Sequence, residues 1–150
     1  MVLEAPFGAQ TGEPDQQQGS APGAGQGPAA YQRCYGRWGM WTYRYLAGAA
    51  VEREDLVPRE RAAVANAEAK LAALGPSLPY PHSSGVRGAD RLRELRPRGG
   101  RSPWRPLYRQ VGEEFVFGAV APEAQVDPHG FFGASRRAEA RLARFEEETR

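Results

Sequence analysis

Eight arginines fall between positions 87 and 109: Arg87, Arg91, Arg93, Arg96, Arg98, Arg101, Arg105 and Arg109. Only Asp90 and Glu94 oppose them there, a local excess of six positive charges in a chain whose net charge is +2. A guanidinium stays charged at any physiological pH and grips phosphate through two parallel N–H bonds. Trp104 and Tyr108 sit in the same stretch, and aromatic rings beside arginines suit the stacking of bases. Phosphate-binding charge with aromatic interleaving makes RNA the leading candidate partner.

Cutting RNA without a metal would ask more of these residues. A base must take the 2′-OH proton, donors must stabilise the phosphorane, and an acid must protonate the leaving 5′-oxygen. Arginine suits the second role, because fixed positive charge at a developing oxyanion is strongly stabilising. Its pKa bars it from the first. The proton-transfer candidates are His129, Tyr108, Glu94 and Glu123. A histidine side chain is the usual choice for proton transfer near neutrality, which makes His129 a candidate; its other reading is a solvated residue beside a helix start. Tyr108 either packs in a sheet or stacks and donates a proton. Glu94 alternates with arginines and reads first as an ion-pair partner of one of them, and Glu123 reads first as a loop surface residue.

Other chemistries find little support. Cys34 is the only cysteine and His82 and His129 the only histidines, in no spacing that resembles a zinc site, so neither a metal nor another cofactor is expected. The start of the chain lacks a basic segment followed by an apolar run. The longest apolar run, residues 115–121, is too short to span a bilayer. No membrane association and a cytoplasmic location are the expectations. The basic residues are 19 arginines and Lys70, a bias that a GC-rich genome also produces.

The elements that must position these residues can be read along the chain. Residues 1–30 are rich in Gly, Ala, Gln and Pro and lack the apolar surface needed to offset ordering entropy. They are predicted to be disordered, and Met40 offers an alternative start for the compact remainder. Aromatic residues crowd in from Tyr31; Trp41, Tyr43 and Tyr45 alternate with Thr42 and Arg44, the period of a strand. That strand supplies either core aromatics or a stacking platform. Residues 56–74 read as a helix, with Pro58 in its first turn, an apolar stripe at Val64, Ala67, Leu71 and Leu74, and a stop at Gly75-Pro76. A shorter helix over 47–55 would complete a helical hairpin packed on a sheet. Residues 76–88 form a loop dense in Pro, Ser and Gly. Three strands follow, over 92–96, 104–110 and 115–121, the last apolar on both faces and expected to be the most buried. Asp127 caps a final helix entered through Pro128, with Phe131, Ser135, Ala138, Leu142 and Phe145 on its inner face. The fold class is α+β, a small antiparallel sheet ordered strand, helical hairpin, three strands, C-terminal helix. It forms one domain over 31–150, with a compact core over about 40–148.

In this order the residues resemble the RelE/ParE superfamily of toxins, and most the HigB-like branch of type II toxin–antitoxin systems. The resemblance covers residues 40–148. It rests on the hairpin ending in Leu74-Gly75-Pro76, the Pro-rich loop, Glu94-Leu95-Arg96, and Arg105-Pro106-Leu107-Tyr108 before a buried strand. It implies a RelE-like fold and a metal-independent endoribonuclease that cuts mRNA on the ribosome and so inhibits translation. It also implies a cognate antitoxin, often of helix-turn-helix type. Arg96 and Arg105 match the phosphate-facing positions, and Tyr108 the aromatic after the second arginine. Together with His129 these are the expected catalytic residues. Arg91, Arg93, Arg98, Arg101 and Arg109 are the surrounding RNA-binding field. Many relatives carry a Phe-x-Lys-Lys type motif after the last core strand; here residues 120–129 contain no lysine. That departure sets up the alternative, a non-catalytic RNA- or ribosome-binding module of the same fold.

Overall fold

The computed structural model of the chain describes residues 33–35, as backbone, and 41–150. The segment expected to be disordered, and Met40, lie outside the described residues. Two strands open the described chain, β1 (Arg33–Tyr35) and β2 (Thr42–Tyr45), followed by α1 (Ala47–Glu54) and α2 (Pro58–Leu74). Pro58 enters α2 where a missing N–H costs nothing. Gly75 ends it at φ 59°, and a Cβ there would also run into the Trp41 indole. A 3₁₀ turn over Gly75–Ser77 leads to β3 (Ser83–Gly85) and β4 (Arg93–Leu95). A second 3₁₀ turn, Pro97–Gly100, precedes β5 (Trp104–Val111) and β6 (Glu114–Pro122), and α3 (Pro128–Glu148) closes the chain. The Asp127 carboxylate caps α3, accepting from Gly130 N at 2.9 Å.

The fold is α+β, but the sheet is mixed rather than antiparallel. Its order is β1-β2-β6-β5-β4-β3, and β2 runs parallel to β6 while the other pairs are antiparallel. Short spacing correctly implied antiparallel pairing among β4, β5 and β6. The parallel pair joins residues 72 positions apart, such as Thr42 and Glu114, where local spacing carries no information. β3 also corrects the reading of 76–88 as a loop throughout.

Helices cover both faces of the sheet. Tyr43, Tyr45, Phe115, Phe117 and Tyr108 pack with Ala49 and Ala50 of α1 and Val64, Ala67 and Leu71 of α2. Leu107, Val116, Ala119 and Ala121 pack with Ala134, Ala138, Leu142 and Phe145 of α3. This is why β6 is apolar on both sides, with its seven inner residues all buried. A register shift leaves Gly118 unpaired opposite β5. A Cβ there would come within 3.0 Å of the Ala138 backbone, so glycine lets α3 seat closely.

Candidate nucleic-acid interface

Folding brings carboxylates from distant elements to the arginine stretch. Arg98 donates to Glu60 of α2 at 3.2 Å, Arg105 to Glu123 beyond β6 at 3.0 Å, and Arg109 to Glu146 of α3 at 2.9 Å. Arg91 reaches the same Glu146 at 3.2 Å, and Arg96 donates to Glu94 at 2.8 Å.

Burial divides the expected catalytic residues. Arg105 is 1% exposed. It also donates to the carbonyls of Trp104 (3.0 Å), Gly100 (2.9 Å) and Ser102. Burial, then the neighbouring Arg96 charge, pulls its pKa below the ordinary value. As folded, Arg105 braces the turn before β5 instead of facing a ligand. Tyr108 is 2% exposed; its ring stacks on Phe117 at 5.3 Å and its hydroxyl lies 2.6 Å from Ser83 Oγ. His129 stands exposed on the first turn of α3, with no hydrogen bond or ion pair to the arginine strands among the described residues. Glu94 brings Arg96 (2.8 Å) and Arg105 (3.9 Å) together, and neither Tyr108 nor His129 joins them.

The RNA-binding candidates divide likewise. Arg109 is buried, whereas Arg91, Arg93 and Arg101 are exposed. Arg93 donates to Ser83 Oγ at 3.1 Å and Arg101 to the Arg98 carbonyl at 3.1 Å. Arg91, Arg93 and Tyr108 border one cleft of about 700 Å³, beside Gln110 and Phe115.

Arg96 and Arg98 border a different and more strongly cationic cleft, of about 300 Å³. Its other wall is α2, which presents Arg59, Asn66 and Lys70, while His82 stands at the entrance to β3. Ala62, Ala63 and Ala67 leave the space between these groups open. Four permanent cations and one imidazole therefore converge on one concave surface. The buried Glu60 carboxylate holds the strand side to the helix. It accepts from Ser102 Oγ at 2.8 Å and from Arg98, and Arg59 lies 3.8 Å away. Arg98 itself adopts φ 57°, one residue before Gly99 at φ 63°, a turn that aims its side chain back at α2.

The sequence reading missed Arg59, Asn66, Lys70 and His82. One signal was available: Arg59, Ala63, Asn66 and Lys70 recur at four, three and four residues, which places them on one face of a helix. That the face meets Arg96 and Arg98 depends on the tertiary fold.

No family model, curated protein or solved structure matches the chain. Among the described residues, no group of three or more His, Cys, Asp or Glu is placed to hold a metal ion. No described helix is long and apolar enough to cross a membrane.

Proposed function

We propose that the chain is an RNA-binding module that holds phosphates in the cleft between α2 and the β3–β4 side of the sheet. The observation that carries this reading is the convergence of Arg59, Lys70, Arg96 and Arg98 with His82 on one open surface. Glu60 and Glu94 neutralise part of that charge; Lys70 and Arg59, on the exposed face of α2, remain the most available to a ligand. Binding is favoured over cleavage because Arg105 and Tyr108 are enclosed and His129 stands apart.

Titration of a short labelled RNA with the full chain tests the proposal by fluorescence anisotropy. Binding should weaken steeply between about 50 and 200 mM salt, as phosphate contacts release counterions. The Arg59→Ala/Lys70→Ala pair should weaken it further and flatten the salt dependence by about 0.7 of a unit of slope per lost contact. Salt-insensitive binding, or a double variant indistinguishable from wild type, would sink the proposal.

A ribosome-dependent endoribonuclease toxin of the RelE/ParE type, in its HigB-like branch, is the second reading. The order strand, helical hairpin, strands, helix favours it, as does the pairing of Arg96 with Arg105 around Glu94. Under this reading His82 is the imidazole that shares a cleft with arginines, in place of His129. Growth arrest on induction and cleaved mRNA in a translation extract are its expected results. Binding without cleavage leaves the module reading.

A further inference from the structure

Tyr80 is 70% exposed and belongs to neither core cluster. Its ring nevertheless has a fixed neighbour, since the Arg96 guanidinium carbon lies 5.1 Å from the ring centroid. Arg96 is held there by two bonds, from Nε to the Pro81 carbonyl at 2.9 Å and from Nη1 to Glu94 at 2.8 Å. Pro79 and Pro81 flank the tyrosine and restrict the backbone that carries it. The same Arg96 borders the cationic cleft. One pinned guanidinium therefore links an exposed aromatic ring to a surface built for phosphates.

We propose that Tyr80, backed by Arg96, is a nucleobase-stacking subsite at the rim of the cleft, so that the protein selects single-stranded over duplex RNA. The inference rests on the RNA-binding reading of the cleft and adds what that reading leaves open, the conformation of the bound strand. An exposed ring beside a phosphate track is the arrangement by which unpaired bases are held without regard to sequence. Bases in a duplex have both faces covered, and side chains cannot read the deep major groove of A-form RNA. Because Arg96 and the prolines already restrain the ring, little freedom is lost when a base settles on it.

The structure also supplies a control. Arg136 lies over Phe132 at 5.6 Å, and Phe132 is 61% exposed. This is a second exposed pair of the same chemistry, but it sits on α3, and its arginine, unlike Arg96, does not border the cleft.

The test titrates the full chain with an unstructured RNA and with a duplex of equal phosphate count, at fixed salt. Wild type should bind the single strand at least tenfold more tightly than the duplex. Tyr80→Ala should lose about tenfold on the single strand and little on the duplex, a loss typical of one stacked base. Tyr80→Phe should keep the preference, and Phe132→Ala should match wild type on both ligands. Thermal melts of each variant check that folding is intact. Equal affinity for the two RNAs overturns the inference. So does an unaffected Tyr80→Ala protein, even while Arg59→Ala/Lys70→Ala still weakens binding and the cleft reading stands. If the double variant also binds like wild type, the cleft reading falls and the stacking subsite falls with it.

Discussion

Glu68 is fully buried, a position a carboxylate occupies only when its charge is met. It accepts from Arg53 Nε at 2.8 Å, Arg53 Nη2 at 2.9 Å, the Tyr43 hydroxyl at 3.1 Å and the Tyr45 hydroxyl. Burial, then the Glu68 charge, raises the Tyr45 pKa well above its ordinary value, so the phenol stays a donor. Arg91 and Glu146 form an ion pair of the same type, but the Arg91 side chain is 54% exposed against 9% for Arg53. Exposed pairs contribute about 0–1 kcal/mol, whereas removing one partner of a buried pair costs about 3–5 kcal/mol. Glu68→Ala should therefore destabilise the fold by several kcal/mol in urea unfolding, and Arg91→Ala by less than about 1 kcal/mol. Similar losses from the two variants would show that the buried network contributes no more than a surface pair.

At the scale of elements, the cleft depends on the clamp between α2 and the 3₁₀ turn at Pro97–Gly100. Burial by itself would raise the Glu60 carboxyl. Hydrogen bonds from Ser102 and Arg98, with the charges of Arg98 and Arg59, outweigh it and hold the group below the ordinary carboxylate range. A group whose folded pKa is depressed stabilises the fold above its unfolded pKa, about 4.3, and that contribution is lost as pH falls through the folded value. The clamp should thus be intact at neutral pH and weaken on acidification below about pH 4.3. Glu60→Gln should lower Tm at pH 7 and flatten the acid side of the Tm–pH curve. Parallel curves for variant and wild type would exclude Glu60 as a source of that slope. Of the two elements joined by this clamp, only α2 was legible in the sequence as an element; among the rest of the fold, α3 was legible too. Pro58, Gly75 and the alanine-rich apolar stripe marked α2, and Asp127-Pro128 marked the start of α3. β3 was not legible, because Ser83-Ser84-Gly85 carries no strand signal and becomes a strand only by pairing with β4.

Across the whole molecule, charge was the least legible property. The local excess over residues 87–109 is an accurate count of the sequence, yet its countercharges lie elsewhere: Glu60 in α2, Glu123 after β6 and Glu146 in α3. Arg105, expected to face a phosphate, and Arg109, expected in the RNA-binding field, are buried, because α3 and the turn before β5 close over that side. What faces solvent as a cationic cleft is a smaller set, half of it contributed by α2. The two charge pictures predict different salt dependence. For single strands, log K falls with log salt at about 0.7 per phosphate neutralised, so the four cleft cations give a slope no steeper than about −3 and the eight arginines about −6. Anisotropy titrations of the full chain across a salt series should return the shallower value. A slope near −6 would mean that the paired arginines open their ion pairs to RNA, and that the interface is the whole stretch from Arg87 to Arg109.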